Sequence, residues 1–322
     1  MQQGQWYESR SNLPTVLVMM ATYNGADYIG EQIDSIFRQQ DVAVSLLIND
    51  DCSSDNTIAC CQAYIDKGFP ITIKRNIVNK GGTRTFLSML DMPEADGFDY
   101  YAFSDQDDYW MPEKLIKAVE KLRNTESQPA LYYSDIENVD ASLHGGSREY
   151  GNFSDVPDSL KTLLVYNWAS GCTMVFNQRL RHLLQSYGNY SGPRIHDVWV
   201  HLVARTCGVV CPDMGNAYIK RRITGHNQVG KRNLGRFSFQ RVMTLIQHVF
   251  HRPDQDFTKT AQILLAHYSS MMDNESLMVV KQFARLPKSL STRLRLFADH
   301  DYWLPSFKET MLMHIKLLCN RY

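Results

Sequence analysis

The stretch TVLVMMATYNG, residues 15–25, sets a nearly continuous apolar run directly before a short polar segment. Such an uninterrupted run is typical of a strand that is buried on both faces of a parallel sheet. Residues 28–39 follow with apolar side chains at helical spacing, and residues 42–48 form a second apolar run. Strand, helix and strand in this order predict an α/β fold.

The same alternation continues to about residue 124. Ser53, Ser54 and Asp55 offer N-cap side chains for a helix that reaches Ile65, and Pro112 suits the first turn of another. Further strands are predicted at 71–74 and 100–103, and further helices at 83–90 and 112–124. The pattern predicts a Rossmann-like, mostly parallel sheet with helices on both faces.

The second half of the chain has a different pattern. Two more strands are predicted at 173–176 and 218–223, and the segments predicted to be helical are 237–250, 258–272 and 304–318. We therefore predict an α/β catalytic domain over residues 1–230 and a helical C-terminal region over residues 231–322.

Polar residues collect where the predicted strands end. Thr22, Tyr23 and Asn24 follow the first strand, Asp50 and Asp51 follow the second, and residues 104–108 follow the fourth. Because ligands of such sheets bind at the carboxyl ends of the strands, we expect one binding site there.

The most acidic of these segments is SDQDDYW, residues 104–110. Its three carboxylates, Asp105, Asp107 and Asp108, repel one another, and their hard oxygen atoms suit Mg²⁺ or Mn²⁺. A cation held there would neutralise a diphosphate. The alternative is an acidic turn that caps the next helix.

Asp50 and Asp51 close an apolar strand, where a carboxylate can accept a hydrogen bond from a nucleobase imide or a ribose hydroxyl. The alternative for this segment is N-capping by Ser53, Ser54 or Asp55. Both can hold, since Asp50 and Asp51 precede the cap, and the sequence leaves open which of the two carboxylates binds the base.

Charge and cysteine content narrow the class of protein. The formal net charge is zero, which gives no indication of nucleic-acid binding. From residue 231 onward the chain has 14 Lys and Arg but 7 Asp and Glu. This excess of positive charge suits contact with a membrane surface or a second copy of the chain, or a solvated helical face.

The seven cysteines form no disulfide framework, no secretory signal opens the chain, and no apolar run is long enough to span a membrane. A cytoplasmic protein is expected, with peripheral contact at the inner face of the cell membrane.

Seven stretches in a fixed order resemble family 2 glycosyltransferases of the GT-A fold. They are ATYNG (21–25), INDDCSSDNT (48–57), NKGGTRTF (79–86), FSDQDDYWMPEKL (103–115), SGCTMVFN (170–177), HDVW (196–199) and RRITGHNQVG (221–230). Together they cover about residues 14–230. They are most similar to the rhamnosyltransferase-like branch, which builds bacterial surface polysaccharides such as O-antigen.

The resemblance implies a metal-dependent, inverting transfer of a sugar from a nucleotide-sugar donor to a hydroxyl group of a lipid-linked or polysaccharide acceptor. We expect dTDP-L-rhamnose as the donor, with UDP-hexoses as the alternative. The residues implied for the donor are Thr22, Tyr23, Asn24, Asp50, Asp51, Arg84, Asp105, Gln106 and Arg222. Asp105 and Asp107 match the DxD motif that holds Mg²⁺ or Mn²⁺, and Asp197 matches the general base.

The chain departs from the branch pattern at several positions. Thr224 replaces a common His, with His226 two places later, and Thr85 replaces a common Asn. Cys52 takes a usual glycine position, which it tolerates if its φ is negative.

Two other functions fit part of the pattern. A nucleotidyltransferase would carry a glycine-rich loop directly after the first strand, whereas GGTR, residues 81–84, comes much later. A non-catalytic module that binds nucleotide sugars would lack a base on the acceptor side, whereas Asp197 is present.

Overall fold

The computed structural model describes residues 13–151, 159–188, 190, 192–193, 195–223, 257–286, 289–299, 310–311 and 313–315. The strands within them are β1 Thr15–Thr22, β2 Ala43–Asp50, β3 Ile71–Arg75, β4 Tyr100–Ser104, β5 Asp108–Trp110, β6 Ala130–Val139, β7 Ser147–Arg148, β8 Val175–Asn177 and β9 Val209–Arg222. The helices are α1 Ile29–Phe37, α2 Thr57–Ile65, α3 Gly82–Met89, α4 Lys114–Leu122, α5 Leu160–Val165, α6 Gln178–Gln185, α7 His196–Cys207, α8 Phe257–Tyr268, α9 Asn274–Ala284 and α10 Leu290–Phe297.

The strands form one sheet in the order β3-β2-β1-β4-β8-β6-β9-β5, with β7 paired to β6. The half built from β1 to β4 is parallel throughout. The other half is mixed, because β8 and β5 run antiparallel to their neighbours while β6 and β9 run parallel. The parallel half brings the carboxyl ends of β1, β2 and β4 to one edge, as the sequence predicted.

Helices cover both faces of this sheet, which confirms the predicted architecture. Alternate residues of β1 show it: Val16, Val18 and Met20 lie in one apolar cluster with α1, α2 and α4. Leu17 and Met19 lie in a second cluster on the other face, which includes side chains of α3 and of α5 to α10. A strand buried on both faces needs apolar side chains at every position, and β1 has that composition.

The C-terminal helices share the core of the catalytic part. The buried side chains of α8 belong to the same cluster as Met19, and the Tyr268 hydroxyl donates a hydrogen bond to the Leu183 carbonyl at 3.2 Å. Lys161 in α5 and Asp299 after α10 form an ion pair at 2.6 Å. The boundary predicted near residue 230 and the helix predicted at 237–250 lie outside the described residues, as does most of 304–318.

The backbone at Cys52 does not meet the condition that the sequence analysis set for it. Its φ is +72°, in the left-handed region, although a negative value was the condition for tolerating a side chain there. The thiol donates a hydrogen bond to the Asn76 carbonyl at 3.1 Å, which helps to hold the turn that begins after β2.

Candidate active site

Asp50 is an internal support of the site. Its carboxylate is fully buried and accepts hydrogen bonds from the Thr22 hydroxyl at 2.9 Å and from both the backbone and the hydroxyl of Ser53. The Arg75 Nε lies 3.4 Å away. With its oxygen atoms engaged in this way, Asp50 ties the end of β1 to the turn after β2.

Asp51 organises the next loop instead. One of its oxygens accepts from the Asn76 amide and the Lys80 backbone N–H, both at 2.8 Å, and the other accepts from the Gly81 N–H at 2.8 Å. These bonds set the start of α3. Arg84 lies in the first turn of α3 and is exposed at this edge of the sheet.

Gln106 links the acidic segment to the loop after β1. Its side-chain amide accepts from the Tyr23 N–H at 2.9 Å and donates to the Tyr23 carbonyl at 3.0 Å. A Cβ on Gly25 would lie 2.2 Å from the Gln106 Oε1, so a larger residue there would displace the Gln106 amide from Tyr23. Asn24, at φ +50°, accepts from the Ser54 N–H at 2.8 Å. Tyr23 remains about half exposed at the edge of the site.

The three carboxylates of the acidic segment share one partly buried region. Burial raises the pKa of Asp105 to about 7, with further contributions from the charges of Asp107 and Asp197. Burial also raises the pKa of Asp107. The pKa of Asp108 is raised well above its usual value, first by burial and then by the charges of Asp105 and Asp107. Concentrated negative charge of this kind favours a bound cation.

One member of this region, Cys172, was missed as a site residue by the sequence analysis. Among the residues that the structure describes, ligand atoms of Asp105, Asp108 and Cys172 lie within 4.8 Å of one another, whereas Asp107 is outside that group. Cys172 belongs to the SGCT segment, and the only signal for it was the position of that segment in the family pattern. Burial raises the pKa of the Cys172 thiol well above its usual value, so the thiol stays protonated and is a weak ligand for a hard cation.

The residues present fit a divalent cation at this edge. The carboxylates of Asp105 and Asp107 supply the hard oxygen atoms that Mg²⁺ and Mn²⁺ prefer. Asp108 is buried beside them with its pKa raised well above the usual value, and a bound cation would favour its ionised form.

Asp197 lies in the first turn of α7, facing the acidic segment. It accepts a hydrogen bond from the Gly171 N–H at 3.3 Å, and burial raises its pKa to about 6. Gly171 directly precedes Cys172, whose Sγ lies within 4.8 Å of a carboxylate oxygen of Asp105, and the charge of Asp197 contributes to the raised pKa of Asp105. The structure therefore brings Asp197 to the same edge of the sheet as the acidic segment.

His196 packs beneath this carboxylate. Its ring stacks on Phe86 with centroids 4.2 Å apart and meets the edge of Phe103 at 5.2 Å. Burial lowers the pKa of His196 to about 3, so the ring is neutral. A Cβ on Gly171 would lie 2.4 Å from the His196 Nε2, so the backbone at Gly171 closely approaches this ring.

Arg222 is located behind the acidic segment, not on the donor side. It is 1% exposed, and its guanidinium donates to the carbonyls of Asp107 at 2.7 Å and Asp108 at 3.2 Å and pairs with Glu31. This placement assigns Arg222 to holding the loop. Thr224 and His226 lie outside the described residues.

Trp110, Trp168 and Trp199 are all buried in the core.

Comparison with known proteins decides the family. The sequence model described as glycosyl transferase family 2 matches residues 17–187, more than half of the chain. The chain belongs to glycosyl transferase family 2. The matched residues include the carboxyl end of every strand described above except β9.

Two relatives are similar in sequence over about a third of this chain. The chain is 41% identical over 108 residues to the dTDP-rhamnosyl transferase RfbG of Shigella flexneri, a match that covers 32% of this chain and 36% of the relative. It is 32% identical over 109 residues to the putative teichuronic acid biosynthesis glycosyltransferase TuaG of Bacillus subtilis (strain 168), covering 33% of this chain and 41% of the relative. The chain thus matches well under half the length of both relatives.

Solved structures confirm the GT-A fold. S. aureus TarS 1-349 in complex with UDP-GlcNAc superposes with a TM-score of 0.54 at 18% identity, covering 95% of this chain and 89% of that one. The mannosyltransferase PcManGT from Pyrobaculum calidifontis in complex with GDP-Man and Mn²⁺ gives a TM-score of 0.50 at 14% identity, covering 97% and 89%. At these identities the likeness concerns the fold alone.

Proposed function

We propose that this family 2 glycosyltransferase moves a sugar from a nucleotide-sugar donor to an acceptor hydroxyl in one inverting, cation-dependent step. The observation that carries the proposal is the pairing of two acidic sites: the segment Asp105–Asp108 and, close to it, Asp197 with a pKa of about 6. A module that only binds nucleotide sugars has no need of the second carboxylate.

The donor is proposed to lie across the ends of β1, β2 and β4. Asp51 follows β2 and Arg84 lies in the first turn of α3, whereas Tyr23 and Asn24 follow β1. Thr22, Asp50 and Gln106 support this surface through the hydrogen bonds described above, and Arg222 supports it from behind. Of the two carboxylates after β2, Asp51 is the better candidate for contact with the base, because it is the less deeply buried.

Asp105 and Asp107 are the residues that would hold Mg²⁺ or Mn²⁺, which when bound offsets the charge that develops on the leaving diphosphate. Asp197 accepts the proton of the acceptor hydroxyl. The acceptor oxygen forms its bond to the anomeric carbon as the bond to the diphosphate breaks, and the electron pair leaves with the nucleotide. A single displacement of this kind inverts the anomeric centre.

Inversion is tested by NMR of the anomeric proton in the product. We expect the configuration opposite to that of the donor, because Asp197 is proposed to act as a base in a single displacement, and the Cys172 thiol, protonated and buried, is a poor nucleophile. Retention of configuration would show a double displacement and overturn the mechanism.

The donor is proposed to be dTDP-L-rhamnose, with UDP-hexoses as the alternative. The similarity to the dTDP-rhamnosyl transferase RfbG supports the first choice. Thermal unfolding in the presence of Mn²⁺ or Mg²⁺ and each of dTDP-, UDP- and GDP-sugars is the test, since a ligand that binds the native state raises the unfolding midpoint. A larger shift with a UDP-sugar than with dTDP-L-rhamnose would reject the rhamnosyl assignment.

The acceptor is proposed to be a lipid-linked glycan or a polysaccharide at the cytoplasmic face of the cell membrane. Helix α10 supports membrane contact, because Leu290, Leu294 and Phe297 follow helical spacing and are 58%, 48% and 41% exposed, with Arg295 also exposed. An apolar stripe beside basic groups suits the surface of an anionic bilayer. Leu296, on the same helix, is fully buried. No helix in the described part of the chain has the length and apolarity to cross a bilayer.

Flotation with liposomes of increasing anionic lipid content tests this contact. The intact chain should float, and a chain carrying Leu294→Gln and Phe297→Gln should float less at every composition. If both chains stay at the bottom, the membrane proposal fails. Dimerisation measured by light scattering, and lost in the same variant, would instead identify a second copy of the chain as the partner of this stripe.

A further inference from the structure

Helix α1 carries polar side chains where it packs against the acidic segment. Gln32 and Ser35 lie on one side of the helix, three residues apart, and both are fully buried. Gln39 follows just after the helix ends and is half-buried. A buried polar side chain is costly unless it is hydrogen-bonded, so the partners of these three residues show what the helix holds.

The Gln32 amide joins the two ends of the acidic segment. Its orientation follows from the groups around it: with its nitrogen toward the Asp108 carbonyl, it donates to that carbonyl at 2.5 Å and to the Ser35 hydroxyl at 3.2 Å. Its oxygen then accepts from the Ser104 hydroxyl at 2.9 Å and from the Trp110 indole N–H at 3.1 Å. Turned the other way, the amide would keep its bonds to the two hydroxyls and lose the other two. Since β4 ends at Ser104 and β5 begins at Asp108, one side chain spans the loop between these strands.

Two neighbouring side chains extend this attachment along the chain. The Ser35 hydroxyl accepts from the Trp110 backbone N–H at 3.1 Å. The Gln39 amide donates to the Met111 carbonyl at 2.8 Å and accepts from the Leu115 N–H at 2.9 Å. Gln39 therefore holds the chain beyond the acidic segment, and the contacts with the segment itself come from the buried side of α1.

Asp105 and Asp107, the proposed cation ligands, lie in the loop that Gln32 closes. Their carboxylates repel each other until a cation binds, and a cation is bound most tightly when its ligands are already in place. A neutral amide supplies donors and an acceptor to both strands without adding a charge to the acidic segment, which neither a carboxylate nor an ammonium group can do.

We propose that Gln32 is a positioning residue of the cation site. Its amide clamps the end of β4 to the start of β5, and this clamp sets the separation of Asp105 and Asp107 before a cation binds. The clamp rests on the hydrogen bonds of Gln32, and its link to the cation rests on the proposed function. Loss of a side chain that orients metal ligands typically costs about 10- to 100-fold in metal affinity, which sets the size of the expected effect.

The test compares Gln32→Met with Gln39→Met. Methionine keeps the length of glutamine but cannot replace the hydrogen bonds of its amide. Both glutamines bond to the chain that follows β4, so both variants should lose stability, whereas only Gln32 contacts the ends of the loop that carries Asp105 and Asp107. The readout is calorimetric titration of dTDP, and of UDP in parallel, with and without Mn²⁺.

We expect Gln32→Met to lose about tenfold or more of the Mn²⁺-dependent gain in nucleotide affinity, because the metal ligands are no longer held in place. Its affinity without Mn²⁺ should stay within about threefold of the wild type, since Asp51 and Tyr23 lie on other elements. Gln39→Met should keep the wild-type gain. A full Mn²⁺-dependent gain in Gln32→Met, or an equal loss in Gln39→Met, would show a role in packing alone and overturn the proposal.

Ser35→Ala is a milder second variant that decides the matter if Gln32→Met does not fold. It removes the hydrogen bonds of the Ser35 hydroxyl to Gln32 and to the Trp110 N–H and leaves the Gln32 side chain intact. We expect it to lose about threefold of the Mn²⁺-dependent gain, the size of one net hydrogen bond. An unchanged gain in this variant would overturn the proposal.

Urea unfolding without ligand tests the clamp separately from the cation. Gln32→Met and Ser104→Ala should each unfold at lower urea than the wild type, and the double variant should lose less than the sum, because both changes remove the same hydrogen bond. Additive losses would show that the two side chains are not coupled. If the wild type binds both nucleotides equally with and without Mn²⁺, the proposed cation site fails and the link to it fails as well, while the urea data still decide the clamp.

Discussion

Replacing Gly171 with alanine tests the packing that positions the proposed base. The added Cβ would lie 2.4 Å from the His196 Nε2 and 3.2 and 3.3 Å from two ring carbons, all shorter than ordinary contacts. The ring must therefore move by about 1 Å to reach van der Waals distance. It has little freedom to do so, because it is stacked on Phe86 and faces the edge of Phe103.

Two consequences follow from this displacement. Overpacking of a filled site costs about 1–3 kcal/mol, so the unfolding midpoint should fall by several degrees. Asp197 is the next residue in the chain after His196 and accepts a hydrogen bond from the Gly171 N–H. A shift of about 1 Å at a reacting group costs about 10²-fold in rate, so sugar transfer should fall by that factor. Nucleotide affinity should stay within about threefold of the wild type, because Asp51 and Tyr23 lie on other elements.

The assays are thermal unfolding, transfer of labelled sugar and calorimetric binding of the nucleotide. Gly215→Ala is the matched control, since a Cβ there meets nothing within 4 Å and φ is not positive. Gly171→Ala combined with His196→Ala removes the obstructing ring and should restore much of the lost stability. If Gly171→Ala unfolds and turns over like the control, or loses nucleotide affinity as severely as transfer, the reasoning is wrong.

Four further predictions concern single residues of the site. Asp197→Asn should reduce transfer by about 10²-fold or more and leave nucleotide affinity nearly intact; equal loss of affinity would place Asp197 in the donor site. The folded-state pKa of Asp197 is raised to about 6, so its ionised form opposes folding above that pH. The Asp197→Asn variant should therefore unfold at a higher temperature than the wild type at about pH 8. Because the base must be ionised, wild-type transfer should fall about tenfold per pH unit below about pH 6. Asp107→Asn should abolish turnover and Mn²⁺-enhanced nucleotide binding with the fold intact, and undiminished wild-type turnover in excess EDTA would refute the cation requirement. Asp50→Asn should mainly lower the unfolding midpoint, whereas Asp51→Asn should weaken nucleotide binding by about tenfold, and the reverse pattern in calorimetry would exchange their roles. Cys52→Val should destabilise the fold by about 1–2 kcal/mol in urea unfolding, because a β-branched side chain is more strained than cysteine at φ +72°. Cys52→Gly should change the stability less, because the relief of strain offsets the loss of the hydrogen bond from the thiol to the Asn76 carbonyl.

The sequence alone determined the architecture of the catalytic half, because the burial of a segment is visible in the composition of that segment. A strand covered on both faces must be apolar at every position, and TVLVMMA is. The polar residues that follow β1, β2 and β4 were placed at one edge because parallel strands end together. Asp105, Asp107 and Asp197 were assigned from the family resemblance, and the structure brings Asp197 to the same edge of the sheet as Asp105.

Tertiary structure alone decided which residues from distant segments meet and what each polar group has as its partner. Arg222 looked like a donor residue, but the pairing of β5 with β9 turns its guanidinium toward the backbone of the acidic segment. The meeting of Asp108 with Cys172, 64 residues later, has no local signature, nor does the burial of Lys114 at the start of an amphipathic helix. The positive φ of Cys52 is likewise decided by tertiary structure, because contacts of its neighbours Asp50, Asp51 and Ser53 impose the turn after β2. Periodicity reports how deeply a segment is buried, whereas charge compensation and strain depend on neighbours that only the folded chain supplies.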